Sequence, residues 1–165
     1  MRVYLGLGGN IGNSIRRLGS AQGALEKNGV RILKKSSLYQ TEPVDFAPQP
    51  WFLNQVVEAE TDATPFRLLA LAKEIESAGG RRPGPRNGPR PIDIDILLMA
   101  GVILETDTLV IPHPRLAERR FVLVPLAEIA PRLVHPVLGK TITALLRDCP
   151  DRSIVRPLAG VKTHP

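Results

Sequence analysis

The sequence predicts an α+β protein built on a βαββαβ unit, an antiparallel sheet with helices on one face, continued by a helical C-terminal extension. Two observations carry this. Four stretches with strand character (residues 2–7, 30–39, 53–61 and 91–99) alternate with two of helical period in the order strand, helix, strand, strand, helix, strand. Prolines and glycines collect between them, where connections belong. That order is the ferredoxin-like one.

Arg2 to Leu7 reads as the first strand, and the glycine-rich turn Gly8-Gly9-Asn10-Ile11-Gly12 opens a helix with Ile15, Leu18 and Leu25 at helical spacing. Asn28-Gly29 ends that helix. Val30 to Tyr39 is predicted as the second strand and Leu53 to Thr61 as the third. Thr64-Pro65 supplies the N-cap and first-turn pair of a second helix bearing Leu68, Leu71, Ala72 and Ile75. Pro91 to Met99 is the fourth strand. Side chains alternate along it, so Ile92, Ile94, Ile96 and Leu98 are expected on the core face, with Asp93 and Asp95 on the other. Short helices are expected over Glu118 to Ile129 and Ile142 to Leu146. Asp151 to Pro165 has no periodicity and is predicted as loop. At 165 residues the chain is expected to form one domain over 1–165, with 150–165 as a C-terminal loop or tail.

Hydrophobic residues at 43% and charged residues at 23% exclude a disordered or fibrous class. No apolar run is long enough to cross a bilayer, and Met1-Arg2 leads straight into the first strand without a cleavable signal pattern, so no membrane partner and a cytoplasmic location are expected. The single cysteine, Cys149, excludes a disulfide framework and a cysteine-based metal site. A monomer is expected, since no heptad or apolar stripe marks a subunit interface. The formal charge of +6 and the pI near 10.0 point to an anionic partner without saying which kind.

The chemistry is concentrated around the fourth strand. Asp93 and Asp95 lie within about 7 Å of each other along one strand face, close enough to share a metal ion. An isolated Asp-x-Asp is more often a solvated face in salt bridges, but this one is preceded by Gly79-Gly80-Arg81-Arg82-Pro83-Gly84-Pro85-Arg86-Asn87-Gly88-Pro89-Arg90, a loop with four arginines and no acid. Guanidinium groups donate paired hydrogen bonds to phosphate oxygens, and magnesium takes a few carboxylate oxygens and leaves its other positions to phosphate and water. Together they are what a polyphosphate site needs; the alternative, a merely solubilising basic loop, does not explain the adjacency. Asn54 beside Phe52 pairs an amide able to read a flat heterocycle's edge with an aromatic, a pattern that a turn cap and a core ring also fit, and His113, Arg115 and Arg119 fall near a helix start, where anions are favoured. His135 and His164 lack such surroundings and are read as structural and tail residues.

Arg86-Asn87-Gly88-Pro89-Arg90 running into Asp93-Ile94-Asp95-Ile96-Leu97 resembles the signature of the 6-hydroxymethyl-7,8-dihydropterin pyrophosphokinases. Leu7-Gly8-Gly9-Asn10, Thr41-Glu42-Pro43-Val44, Gln49-Pro50-Trp51-Phe52-Leu53-Asn54 and Pro112-His113-Pro114-Arg115-Leu116 with Arg119-Arg120-Phe121 follow the family's order, so the resemblance covers roughly residues 3 to 147. It implies transfer of pyrophosphate from ATP to a hydroxymethyl-pterin, with AMP as the other product, in tetrahydrofolate biosynthesis. It implies two Mg2+ ions on Asp93 and Asp95, and Arg81 and Arg90 as catalytic phosphate clamps. ATP contacts would come from Glu76, Arg81, Arg90, Ile96, His113 and Arg119, and pterin contacts from Gly8, Thr41, Val44, Phe52, Asn54 and Phe121. Asn87 stands where some members carry tryptophan, and Pro83 lies near the place of a second phosphate-facing arginine, with Arg82 as its substitute. Segments 79–90 and 43–50 are expected to close over the two substrates.

Two other classes fit less well. An RNA-recognition module shares the element order and would suit a basic chain, but its base-stacking platform needs aromatics on the sheet, and Asn54-Gln55-Val56-Val57-Glu58-Ala59-Glu60 has none and carries two acids. No nucleic-acid partner is therefore expected. A dinucleotide-binding fingerprint fails because Gly12 comes one position late in Gly6-Leu7-Gly8-Gly9-Asn10-Ile11-Gly12, and no Gly-Lys-Ser or Gly-Lys-Thr supplies a Walker loop. Any phosphate grip must then come from arginines and metal.

Overall fold

Main-chain pairing is antiparallel throughout a six-stranded sheet, in a computed structural model that describes residues 1–43, 48–84 and 88–159. Its elements are β1 (Arg2–Gly9), α1 (Ser14–Lys27), β2 (Arg31–Lys35), β3 (Tyr39–Thr41), β4 (Phe52–Glu60), α2 (Pro65–Ala78) and β5 (Asp93–Met99). There follow a small hairpin of β6 (Leu104–Glu105) and β7 (Val110–Ile111), a 3-10 turn at Leu116–Glu118, α3 (Arg120–Ile129), α4 (Ile142–Asp148) and β8 (Val155–Pro157). The strands run β5-β1-β4-β3-β8, with β2 also paired to β4.

Helix ends follow the sequence closely. The Asn13 side chain caps α1 by accepting from the Arg16 N–H, and Thr64 caps α2 ahead of Pro65 by accepting from the Arg67 N–H. Past α1, Gly29 adopts φ +84°, a conformation that favours glycine.

The stretch 30–39 divides into two strands. Ser36 is buried between them: its Oγ accepts the Val56 N–H and its C=O accepts from Gln55 Nε2, so a side chain replaces part of the ladder. β2 then pairs with the far half of β4 and β3 with its near half. The tail expected over 151–165 is in part a strand, because β8 pairs with β3. His164 lies outside the described residues.

Helices cover both faces. Leu18, Ala21 and Leu25 of α1 and Leu68, Ala72 and Ile75 of α2 bury Val3, Leu5, Leu7, Val57, Ile92, Ile94 and Ile96 on one face. Ile15, expected in this stripe, is exposed instead. On the other face Tyr4, Val56, Leu97 and Leu98 pack under α3 and α4, with Cys149 buried among them. The C-terminal extension is thus the sheet's second layer. Leu98 is on this second face and not with the isoleucines, because an irregularity in the β1–β5 register between Tyr4 and Leu5 shifts the alternation after Ile96. Among the described residues no helix is long and apolar enough to cross a membrane.

Candidate active site

One end of the second face, beyond the α3 and α4 packing, holds a cavity of about 360 Å3. Strand register builds its floor. Gly8 of β1 lies opposite Asn54 of β4 on one side and Asp93 of β5 on the other, and Gly6 lies opposite Asp95. Alternation then sends Phe52, Asn54, Asp93 and Asp95 to this face and their neighbours Leu53, Ile94 and Ile96 to the core. A Cβ on Gly8 would fall 2.3 Å from Asn54 Oδ1, so a larger residue here would displace that amide.

At one end of the cavity Asn54 Nδ2 donates to Thr41 Oγ1 at 2.7 Å, which fixes the amide's orientation. Phe121 enters from the first turn of α3, with the Arg119 guanidinium 5.6 Å from its ring centre. At the other end Arg81 Nη1 donates to Glu76 Oε2 at 2.6 Å and to Asp93 Oδ1 at 2.5 Å, and Arg90 Nη1 is 3.3 Å from Asp93 Oδ2. Glu76 is only 3% exposed, and its Oε1 accepts the Ile94 N–H at 2.9 Å, so it ties α2 to β5 beneath the arginine. His113 is anchored to β5 by its N–H donating to Leu97 C=O at 2.9 Å. Its Nδ1 accepts the Arg115 N–H, which places the proton of the neutral ring on Nε2.

The electrostatics are crowded. Lys73, Arg81, Arg90, Arg115 and Arg119 line the cavity against Glu42, Asp93 and Asp95, an excess of positive charge. Burial raises the Glu76 carboxyl above its ordinary value, opposed by the Ile94 N–H, reinforced by Asp93 and opposed again by Arg81 and Lys73. Burial first, then the charge of Asp93, pushes Asp95 up to about 7 against the pull of Arg119. Such a carboxylate pair calls for positive charge. Among the described residues no cluster of three or more histidine, cysteine or acidic side chains could enclose a metal, so a cation here would complete its shell with water and ligand oxygens, as magnesium does.

Most of the expected site residues meet in this cavity: Gly8, Thr41, Phe52, Asn54, Arg81, Arg90, Asp93, Asp95, His113, Arg119 and Phe121. Glu76 stands behind it, in contact with Arg81. Ile96 does not line it; its side chain is buried against α1 and α2, because its place in the alternation is opposite to that of Asp95. Val44, Arg86 and Asn87 lie outside the described residues, as do parts of segments 43–50 and 79–90. Arg82 is exposed and does not line the cavity. His135 is buried in the α3–α4 connection, where its Nδ1 accepts the N–H groups of Val137 and Leu138, as a structural residue would.

Arg115, placed by the sequence near an anion-favouring helix start, also lines the cavity, whereas sequence reasoning did not single out Glu42, Lys73, Gly84 or Pro114. Lys73 was legible: it stands one helical turn before Glu76, on the same face of α2. Asn10 was also missed. It is buried, its N–H donates to Arg90 C=O, its Oδ1 accepts the Arg90 N–H, and its Nδ2 donates to Gln49 Oε1 and Pro50 C=O. It holds the ends of two loops at the close of β1.

A larger groove of about 600 Å3 runs between α1 and α2. Its walls include Leu71, Ile75 and Ile92, and it has no paired carboxylates, so chemistry and not size selects the smaller cavity.

The family model for 7,8-dihydro-6-hydroxymethylpterin-pyrophosphokinase (HPPK) matches residues 4–131. The chain belongs to the HPPK family. It is 43% identical over 156 residues to the 2-amino-4-hydroxy-6-hydroxymethyldihydropteridine pyrophosphokinase of Methylorubrum extorquens, covering 94% of this chain and 98% of that one. The protein of the same name from Bacillus subtilis is 46% identical over 128 residues, 77% of each chain. HPPK sequence also occurs inside longer proteins: the folic acid synthesis protein fol1 of Pneumocystis carinii is 40% identical over 92% of this chain, which spans only 20% of its length. Among solved structures, a Plasmodium falciparum HPPK-DHPS superposes with a TM-score of 0.71 at 20% identity, over 89% of this chain and 45% of that one. At that identity the likeness is one of fold, a mixed α/β arrangement with an antiparallel sheet.

Proposed function

We propose that this chain transfers a pyrophosphoryl group from ATP to the hydroxymethyl group of 6-hydroxymethyl-7,8-dihydropterin, releasing AMP and the pterin diphosphate, in folate synthesis. The observation that carries this is the union, in one cavity, of an oriented amide, two aromatic side chains and a carboxylate pair rimmed by arginines. Phe52 and Phe121 would hold the pterin ring, and Asn54 would read its edge while Thr41 fixes the amide. Arg81, Arg90, Arg119 and His113 would grip the phosphates, with Glu76 orienting Arg81 from below.

Asp93 and Asp95 would hold the divalent metal, in our proposal two magnesium ions, which when bound neutralises phosphate charge. In the transfer the acceptor's hydroxyl oxygen bonds to the β-phosphorus and the bond from that phosphorus to the oxygen shared with the α-phosphate breaks. AMP leaves with the bonding pair, and the hydroxyl proton passes to solvent. The protein's task in such a step is positioning and charge stabilisation. The arginines face the transferring group, while the ring pair holds the hydroxymethyl arm towards it.

The sheet order, with β5 and β4 flanking β1, supports reading the frame as ferredoxin-like. A cytoplasmic location and a monomeric state are part of the same proposal. Incubation with ATP, magnesium and the hydroxymethyl-dihydropterin should yield AMP in step with pterin diphosphate; stoichiometric ADP would refute the reaction.

A further inference from the structure

Residues 151–157 lie beyond the part of the chain that the family model matches, yet they touch both walls of the cavity's ring-binding end. On one side the Asp151 carboxylate caps the start of α3. Its Oδ2 accepts the Arg120 N–H at 2.9 Å, between Arg119 and Phe121, both of which line the cavity. Asp151 is itself held in place: its Oδ1 accepts from the Ser153 N–H at 2.8 Å and the Ser153 hydroxyl at 2.6 Å. Three residues after Asp151, the segment reaches the opposite wall. The Ile154 N–H donates to Glu42 Oε1 at 2.6 Å, and its C=O accepts the Glu42 N–H at 3.2 Å. β8 then pairs Val155 with Thr41 and Arg156 with Gln40, and the Arg156 guanidinium lies 4.7 Å from the ring centre of Trp51, the residue before Phe52.

We infer that segment 151–157 is a brace that sets the separation between the Thr41–Phe52 wall and the Phe121 wall, making Asp151 and Arg156 positioning residues for the flat acceptor substrate. The inference rests on the pterin reading above. The brace acts mainly on one end of the cavity: of the residues assigned to the phosphates, only Arg119, beside Arg120, adjoins it. Arg81, Arg90 and Asp93 are held by Glu76, Asn10 and one another, and none of the contacts of segment 151–157 described above reaches them. The cost of loosening it should therefore fall more on the acceptor than on the nucleotide.

The test is steady-state kinetics of full-length Asp151→Ala, Asp151→Asn and Arg156→Ala with ATP and the hydroxymethyl-dihydropterin varied separately. Losing a helix cap corresponds to about a tenfold change in an equilibrium. Asp151→Ala should raise KM for the pterin about tenfold while KM for ATP changes less than twofold. Asp151→Asn, which keeps an oxygen acceptor for the Arg120 N–H but sets its Nδ2 against the Ser153 N–H, should recover part of the difference. Arg156 is exposed, so Arg156→Ala should fold and still raise the pterin KM about threefold by releasing Trp51. An unchanged pterin KM in Arg156→Ala and Asp151→Ala, or equal rises in both Michaelis constants, overturns the brace. A parent protein that forms no AMP from this pair of substrates overturns the reaction instead.

Discussion

Replacing Asp95 by asparagine should make the metal-free protein more stable while abolishing its turnover. Burial and the neighbouring Asp93 raise the Asp95 carboxyl from 3.8 to about 7. A group raised on folding keeps a proton that the unfolded chain has released, so its contribution is full below about pH 4 and is lost as pH rises through about 7. A rise from 3.8 to about 7 sets a ceiling of about 4 kcal/mol on the cost of the charged form above pH 7. Asparagine removes the charge at nearly constant volume, and with imperfect hydrogen bonding about 1–2 kcal/mol of that should be recovered. For a chain of this size that is about 5 °C in Tm. The assay is thermal unfolding of parent and Asp95→Asn in chelator-containing buffer at pH 8 and at pH 4, beside turnover at pH 8. The gain should be present at pH 8 and gone at pH 4. A variant no more stable than the parent at pH 8, or equally stabilised at both pH values, refutes the account of Asp95 as a carboxylate held against its preference.

Asp93→Asn should also abolish turnover but lower Tm, because Asp93 bridges Arg81 and Arg90; a loss of about 1–2 kcal/mol is expected in the same unfolding assay. Gly8→Ala places a methyl group 2.3 Å from Asn54 Oδ1 and should raise the pterin KM more than tenfold while leaving nucleotide binding, measured with a non-hydrolysable ATP analogue, within twofold. Arg81→Ala should lower kcat by about a hundredfold or more and weaken binding of the same analogue far less, since a residue that acts mainly on the transition state is read in kcat.

Much of the fold was legible because its signals are local. Thr64-Pro65, Asn28-Gly29 and the alternation of Ile92, Ile94 and Ile96 each depend on a few neighbouring residues and proved correct. The errors have a different origin. Ser36 interrupts a strand through contacts with Gln55 and Val56, twenty residues away, and Leu98 changes face because of a register irregularity opposite Tyr4 and Leu5. β8 has only three residues, and its partner β3 stands more than a hundred positions earlier, so nothing periodic could announce it. Among the site residues, types with a narrow chemical use were found together, whereas Asn10 depends on what the fold brings beside it.

The arrangement of Arg81 bears on how the site changes when substrate arrives. Its guanidinium joins two carboxylates of unlike character: Glu76, buried and fixed by the Ile94 N–H, and Asp93, half-buried at the cavity wall. On the proposed reaction both Arg81 and Asp93 acquire stronger partners, the arginine a phosphate and the aspartate a metal. Their mutual ion pair is then redundant, while the pair with Glu76 persists because that carboxylate has nowhere else to go. Glu76 therefore acts as the fixed pivot and Asp93 as the exchangeable partner. The same pivot accounts for a buried acid at a position where burial, reinforced by Asp93, raises its pKa: a neutral residue there would leave Arg81 bound only to the carboxylate that the metal is to take. Glu76→Gln should accordingly bind ATP with magnesium more weakly than the parent, with the loss shrinking in an Arg81→Ala background. A double-mutant cycle measured by calorimetry with the non-hydrolysable analogue reads that coupling, and strictly additive losses would show that Glu76 and Arg81 do not act as a unit.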